Sequence, residues 1–551
     1  MKVGFDPSLC SVSAVKSLAA STPIITRRAF ITRIAQTGGA AAAWAALDAL
    51  GATPLAIGAD HQYPGAPALP GGIGHGKKIT IIGAGMAGLV SAYELGKAGF
   101  SCTILEARSR PGGRNWTIRG GDKIVQTDGS QQTLWPTAPH LYFNAGPARI
   151  PHHHHAVLDY CKQFNVPLEI MMNDNRAALF QDDAAFGGKP VQAKQVINDM
   201  RGNLSELLAK AMSGGGLDGA FSKEDRERLS GMIGAFGDLK AGGKYAGSDR
   251  AGFITPPGAA LAAGKHREPL SLSELLKSDF WQFKASFGEG PEQSSTMLQP
   301  IGGMDQIPRA FAKRLAKVIR YDCVVDEIRK TVNGSKDGAK VVFRQSGRAA
   351  TMIESDFVIC TMPLPVLAKV PNDLAPEYKK AIAECAYAKP AKIAFYTPRR
   401  FWEEDNAIYG GMSRTTREIT QILYPSHGIR RRDGVLVGSY TFGLAPGDDM
   451  SQFSVKDRIA KAIDSGERIH PGYATMVKNG VSIAWPNVQH NLGGWAGWTD
   501  DQRATLYRTL LAPDGAIYLA GEHLSYVTGW QEGAILSAHR AVEMIGKRVQ
   551  A

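Results

Sequence analysis

The chain has 551 residues, 44% of them hydrophobic, which is too long for one core and apolar enough to fill two or three. Its formal net charge is +12, but Lys and Arg are scattered, with no arginine-rich arm or aromatic-basic array, which argues against a nucleic-acid partner and leaves general attraction of small anions. The six cysteines (Cys10, Cys102, Cys161, Cys323, Cys360, Cys385) lie far apart without CxxC or zinc spacing, and Cys102, Cys323 and Cys360 sit in apolar strand-like runs that read as core.

In chain order, Thr26 to Ile31 read TRRAFI and precede an alanine-rich run, Ala40 to Ala46, that stays weakly apolar to Ala59. This resembles a twin-arginine export signal; an amphipathic helix in a disordered leader is the alternative. Asp48, Gly51 and Pro54 interrupt the run, so no stable membrane span is expected. The expectation is a leader over 1–59, a Gly/Pro-rich linker over 60–76, and a periplasmic or secreted mature protein.

Lys78 to Arg114 reads KITIIGAGMAGLVSAYELGKAGFSCTILEARSRPGGR. The apolar run Lys78 to Ile82 predicts a strand buried on both faces. Gly83 permits a tight turn, Gly85 lets a pyrophosphate approach the backbone, and Gly88 lets a helix starting near Met86 pack on the strand. Free N–H groups at Met86 and Ala87 would face the phosphates. The helix carries Leu89, Ala92, Tyr93 and Leu95 and ends near Gly99; SCTILEA is a second strand closing on Glu106, at the distance expected for a carboxylate on a ribose. Strand, glycine loop, helix, strand and acid in order make this a dinucleotide site. Ala107, Arg108, Gly112, Gly113 and Arg114 follow, either as a basic surface turn or as a second phosphate-facing turn.

Glu106 followed by Gly112-Gly113-Arg114 resembles the flavin-containing amine oxidase family, which binds FAD. The resemblance extends from about Lys77 to the C-terminus and is nearest to the L-amino-acid oxidases. It implies a mixed α/β fold (α+β overall): a Rossmann-like FAD-binding domain over 77–120, 296–385 and 511–551, a mixed-sheet substrate domain over 121–190 and 386–510, and a helical insertion over 191–295 that roofs the site.

The run YFNAGPARIPHHHH follows. His152 to His155 invite a metal reading, but on a helix starting near His152 they would point in different directions and could not all ligate one ion, so no metal is expected. Arg149, framed by Gly146, Pro147, Ala148 and Pro151, reads from composition as exposed. The resemblance instead implies that this Gly-Pro-x-Arg arginine holds a substrate carboxylate, with Ala148 standing where many relatives have methionine. No cluster between Val191 and Glu292 reads as chemistry.

After Gly302-Gly303-Met304 the resemblance implies a return to the FAD domain, with a helix from about Ile307 to Lys317 and a strand DCVVDEIRK whose Val324 or Val325 flanks the adenine. VVFRQ and DFVICTMP are expected to pair. Lys392, in the alternating run AKIAFYT, reads as an outward lysine on pattern alone. The resemblance implies an inward lysine near flavin N5 that promotes reaction with oxygen, with Lys389 as competing candidate.

Tyr440 is either a half-buried strand tyrosine or, by resemblance, a second group on the substrate carboxylate. Trp495 and Trp498 in NLGGWAGW are core aromatics or pocket walls. IYLAGEHLSYVTGWQEG resembles the family's closing motif: Gly521 and Glu522 contact the ribityl-pyrophosphate region, Gly529 and Trp530 face the reacting carbon, and a helix from Gln531 directs its N-terminus at the flavin, where it stabilises negative charge near N1 and O2.

No cysteine lies in this motif, so FAD is expected to be noncovalent. The resulting expectation is oxidative deamination of an L-amino acid by hydride transfer to flavin N5, with O2 as second substrate and 2-oxo acid, ammonia and peroxide as products. Amine or polyamine oxidation, amino-acid monooxygenation, and a flavin-bearing binder without turnover are the alternatives. A homodimer is compatible with the sequence.

Overall fold

Ile79, Ile81 and Ile82 are buried because their strand, Lys78–Ile82, lies in the middle of a parallel sheet. The computed structural model that supplies the coordinates describes residues 63–215, 221–333, 336–443 and 449–551; the twin-arginine segment and Cys10 lie outside them. The sheet order is Ile319–Arg320, Ser101–Leu105, Lys78–Ile82, Phe357–Cys360, Ile517–Leu519, every pair parallel. Helices Met86–Lys97 and Gln531–Gln550 pack together beside it, sharing one core with Leu89, Val90, Ile535, Ala538 and Val542. Strands from widely separated parts of the chain thus converge on one sheet, the doubly wound arrangement in which ligands bind at the carboxyl ends of the strands.

VVFRQ does not pair with DFVIC. Lys336–Gln345 is instead the middle strand of a separate antiparallel sheet with Cys323–Asn333 and Ala350–Ser355. Asp337 and Arg344 in Lys336–Gln345 are exposed, whereas all four residues of Phe357–Cys360 are buried, which suits the centre of the parallel sheet. The helix expected over 307–317 runs Gln306–Arg314.

A second, seven-stranded sheet has the order Val191–Gln192, Leu179–Gln181, Gly411–Thr415, Gln421–Tyr424, Gly434–Thr441, Ala391–Thr397, Lys478–Ala484. It is mixed: the Leu179–Gln181 and Gly411–Thr415 strands run parallel and its other pairs antiparallel. Ala391–Thr397 is hydrogen-bonded on both edges, with six of its seven residues buried.

The helix after the histidine run is His155–Gln163, starting three residues later than expected. Ile150–Pro151 is held as a strand against Met297-Leu298, and His152 N donates to the Thr296 carbonyl at 3.1 Å, so the chain is extended there. Glu532 then completes the helix start: its carboxylate accepts from Ala156 N and Val157 N, both at 2.9 Å.

Compactness divides the chain into Lys194–Leu276 and the rest of the described residues. The smaller unit contains most of helix Ala193–Ser213, helix Lys223–Gly237 capped by Ser222, and the strand pair Phe253–Thr255 with Lys265–His266. Asp199 ties it together, accepting from Tyr245 Oη at 2.5 Å and Leu270 N at 2.8 Å. No helix among the described residues is long and apolar enough to cross a membrane.

Candidate functional site

A cavity of about 690 Å³ opens at the carboxyl ends of the parallel strands, all of it within the larger unit. One end is backbone. Gly83 has φ +101, a left-handed value, and a Cβ there would lie 2.7 Å from Thr361 Oγ1. Gly85, Met86 and Ala87 line the wall at a helix N-terminus that has no side-chain cap and no acidic residue in its first turn, an arrangement that leaves N–H donors for an anion. Gly88 does not line the cavity; a Cβ on it would meet the Gly83 carbonyl at 2.0 Å, so its role is close packing of helix on loop.

Glu106, 3% exposed, accepts from Ala84 N at 2.7 Å and Arg108 N at 2.9 Å, fixing the loop while leaving acceptor capacity for a hydroxyl. Ala107, Arg108 and Gly113 line the same end, with Val324 and Val325 both present. Arg108 is itself held by Gln489 O and Asn491 Oδ1, each at 2.5 Å.

Midway, Arg114 donates to Glu522 Oε1 at 2.7 Å and Gly494 O at 2.5 Å. Burial alone would raise the Glu522 carboxyl; Arg114 and His523 override it and hold the group below its usual range. Gly521 lines the wall, and Gly529 N donates to Glu522 Oε2 at 3.1 Å. The Gln531–Gln550 helix also begins without a side-chain cap, and Trp530 and Gln531 line the cavity at that point. An uncapped helix start, a buried carboxylate with spare acceptor capacity, a cavity of about 690 Å³ and a second helix start together fit a dinucleotide bearing a ring system.

The other end is built from side chains. Gly146, Pro147, Ala148 and Arg149 line it with Lys392, Tyr440, Trp495, Gly529 and Trp530. Arg149 is 7% exposed, against the composition-based expectation, and its Nε and Nη2 donate to Gln293 Oε1 at 3.1 and 2.7 Å. Its guanidinium carbon stands 5.7 Å from the Phe287 ring centre and 5.6 Å from that of Trp530.

Lys392 points inward because its strand is covered on both sides; Nζ donates to Asn144 O at 3.1 Å and to Gly146 O, and lies 4.5 Å over the Tyr440 ring. Burial, then Arg149, lowers its pKa to about 7. Lys389 is excluded from this role, being exposed and paired with Asp449 at 2.9 Å. Arg414, stacked 3.9 Å over Phe287, is lowered to about 9 by burial and then by Arg149. The Tyr440 hydroxyl is raised by burial, partly opposed by Arg149.

Trp498 is not a pocket wall. Its Nε1 donates to His523 O at 2.8 Å and its ring packs on Tyr507, in the core. The stretch from Val191 to Glu292 contributes Phe287, and Gln293 follows just beyond it; a single phenylalanine and a neutral amide in a glycine-rich stretch carry no sequence pattern. Glu292, remote in sequence, is an acidic partner of the histidine run in the fold, reaching His153 and His154.

Residues 86–545 match the family model described as flavin containing amine oxidoreductase. The flavin-dependent L-tryptophan oxidase RebO of Lentzea aerocolonigenes is 30% identical over 86% of this chain and 98% of its own length. The L-amino-acid oxidase of Demansia vestigiata is 26% identical over 86% of this chain and 87% of its own. In fold, a putrescine oxidase structure matches 86% of this chain and 99% of its own with a TM-score of 0.56 at 17% identity. The chain therefore belongs to the flavin-containing amine oxidoreductases, and FAD is its cofactor.

Proposed function

We propose that the protein oxidises L-amino acids to 2-oxo acids, ammonia and hydrogen peroxide, with FAD held noncovalently. The observation that carries this reading is Arg149: a buried guanidinium at the ring end of the cavity whose hydrogen-bond partner is a neutral amide. A buried cation without a counter-charge is costly unless a ligand supplies one, and a substrate carboxylate does. Tyr440 adds a hydroxyl beside it. Clamping the carboxylate at Arg149 and Tyr440 would orient the α-carbon hydrogen and exclude water behind Trp495 and Trp530.

FAD supplies a two-electron hydride acceptor that oxygen reoxidises. Lys392 would hold a positive charge where oxygen gains electrons. The substrate amine must be neutral so that its lone pair supports hydride departure, and the surrounding cations Arg149, Lys392 and Arg414 favour that deprotonated form. A separate general base is not required. Noncovalent attachment is supported by the absence of cysteine between Gly521 and Gln531.

Anaerobic mixing of the yellow protein with L-amino acids and with their decarboxylated amines tests the assignment. Bleaching by amino acids, with amines slower by about 10²-fold or more, is expected from loss of two charged hydrogen bonds. Bleaching by the amines alone would replace the assignment with amine oxidation.

A further inference from the structure

His153 and His154 sit on the turn between strand Ile150–Pro151 and helix His155–Gln163, and Glu292 joins them from 138 positions beyond His154. His154 Nε2 lies 2.6 Å from Glu292 Oε2, and His153 Nε2 lies 3.3 Å from Oε1. The three donor groups all fall within 4.8 Å of one another. On a helix, consecutive imidazoles would diverge; here the extended turn directs both at one carboxylate. A simple buried His–Glu hydrogen bond would account for His154 but leaves the second imidazole on the second oxygen unexplained.

His154 is 3% exposed while His153 and Glu292 are 36% exposed, so one side of the cluster is protein and the other is open to water. Two imidazoles, a carboxylate and an open position form a donor set suited to zinc-class ions.

We infer that His153, His154 and Glu292 bind a divalent transition-metal ion of the zinc class, and that its occupancy reaches the arginine end of the cavity. The His154 ring meets Trp530 edge-on at 5.1 Å, and Gln293, the neighbour of Glu292, holds Arg149. An ion entering the cluster takes the place of the proton shared between His154 Nε2 and Glu292 Oε2, which leaves to solvent. With Glu292 fixed on the ion, Gln293 is held on Arg149 and an incoming carboxylate competes less well. This second part rests on the proposed role of Arg149.

The test is calorimetric titration of zinc chloride into the metal-stripped, FAD-loaded full chain near neutral pH. Binding of about one ion per chain is expected, weakened more than about tenfold by His153→Ala and by Glu292→Gln in variants whose flavin spectrum shows them folded. No saturable binding, or equal binding in both variants, overturns the site. Zinc should also raise the amino-acid concentration for half-bleaching by about five- to tenfold in the unmodified chain and not in His153→Ala. An unchanged value with zinc bound overturns the link to Arg149. Should amines alone bleach the flavin, the functional proposal fails while calorimetry still decides the metal site.

Discussion

Arg114 and Arg149 line one cavity, but their charges are treated differently. Arg114 has a full counter-charge in Glu522 at 2.7 Å, with a backbone carbonyl besides. Arg149 has two bonds to one neutral carboxamide oxygen and lies over the rings of Phe287 and Trp530, with no carboxylate partner among the described residues. The first pair is complete in itself and joins distant chain segments. The second lacks an anion, which is what a binding site for a carboxylate requires of the protein.

Breaking the complete pair should have the largest effect. Glu522→Ala strands a buried guanidinium and removes the acceptor for Gly529 N, at a cost of about 3–5 kcal/mol. Thermal unfolding and flavin content of the purified variant should both fall sharply; near-normal values for both would mean that the pair is not what holds this part of the cavity together.

Arg149→Ala should behave in the opposite way. Removing an uncompensated buried charge leaves thermal stability equal or higher, while amino-acid affinity drops by roughly 10²–10³-fold through two lost charged hydrogen bonds. Anaerobic bleaching titrations measure the second effect and the flavin spectrum controls for the first. Equal affinity in the variant would remove Arg149 from the substrate site.

The contrast also explains which parts of the site were legible in the sequence. The cofactor end uses consecutive residues whose backbone demands leave a local trace: Gly83 at φ +101, Gly88 against the Gly83 carbonyl, Glu106 bonded back to Ala84 N. The pattern survives in one dimension because the contacts are between near neighbours. Arg149 and Lys392 were reachable only through resemblance, since composition and alternation pointed both elsewhere; Tyr440 is the half-buried strand tyrosine its pattern gives, but the pattern carried no role for it. Gln293, Phe287 and Glu292 were not reachable, because they act by being carried to Arg149 and His154 from 138 or more positions away. Lys336–Gln345 was assigned the wrong partner for a related reason: alternation predicts a strand but not its neighbour, and loop closure selects the hairpin with Cys323–Asn333. Trp495 and Trp498 carry the same sequence signal, an indole after a glycine pair, yet Trp495 lines the cavity while Trp498 Nε1 is tied to His523 O.

Gln293→Glu sharpens the comparison by giving Arg149 the partner Arg114 already has. The new carboxylate would occupy the guanidinium fork that Gln293 now fills from one oxygen. Amino-acid affinity should fall by about 10–100-fold, less than for Arg149→Ala, because a ligand can still displace the internal anion. Half-bleaching concentration at fixed pH is the measurement, and an unchanged value would mean that the ligand carboxylate does not compete for this fork.

The smallest effect concerns Lys392, a third cation at this end that is held by carbonyls and, like Arg149, has no carboxylate partner among the described residues. Its pKa is lowered from 10.5 to about 7 by burial and then by Arg149. Between those two values the unfolded chain binds the proton and the folded chain does not, so stability rises with pH; below about 7 both forms are charged and the full cost of burying the cation remains. Lys392→Met removes that cost. The variant should therefore exceed the unmodified chain in thermal midpoint by a few degrees at pH below 7, and the gap should close as pH rises towards 10.5, at no more than about 1.4 kcal/mol per pH unit. Lys389→Ala, at an exposed ion pair, should stay within about 0.5 kcal/mol at every pH. A gap for Lys392→Met that does not change with pH would mean the lysine keeps its proton throughout, and that a counter-charge reaches it as Glu522 reaches Arg114.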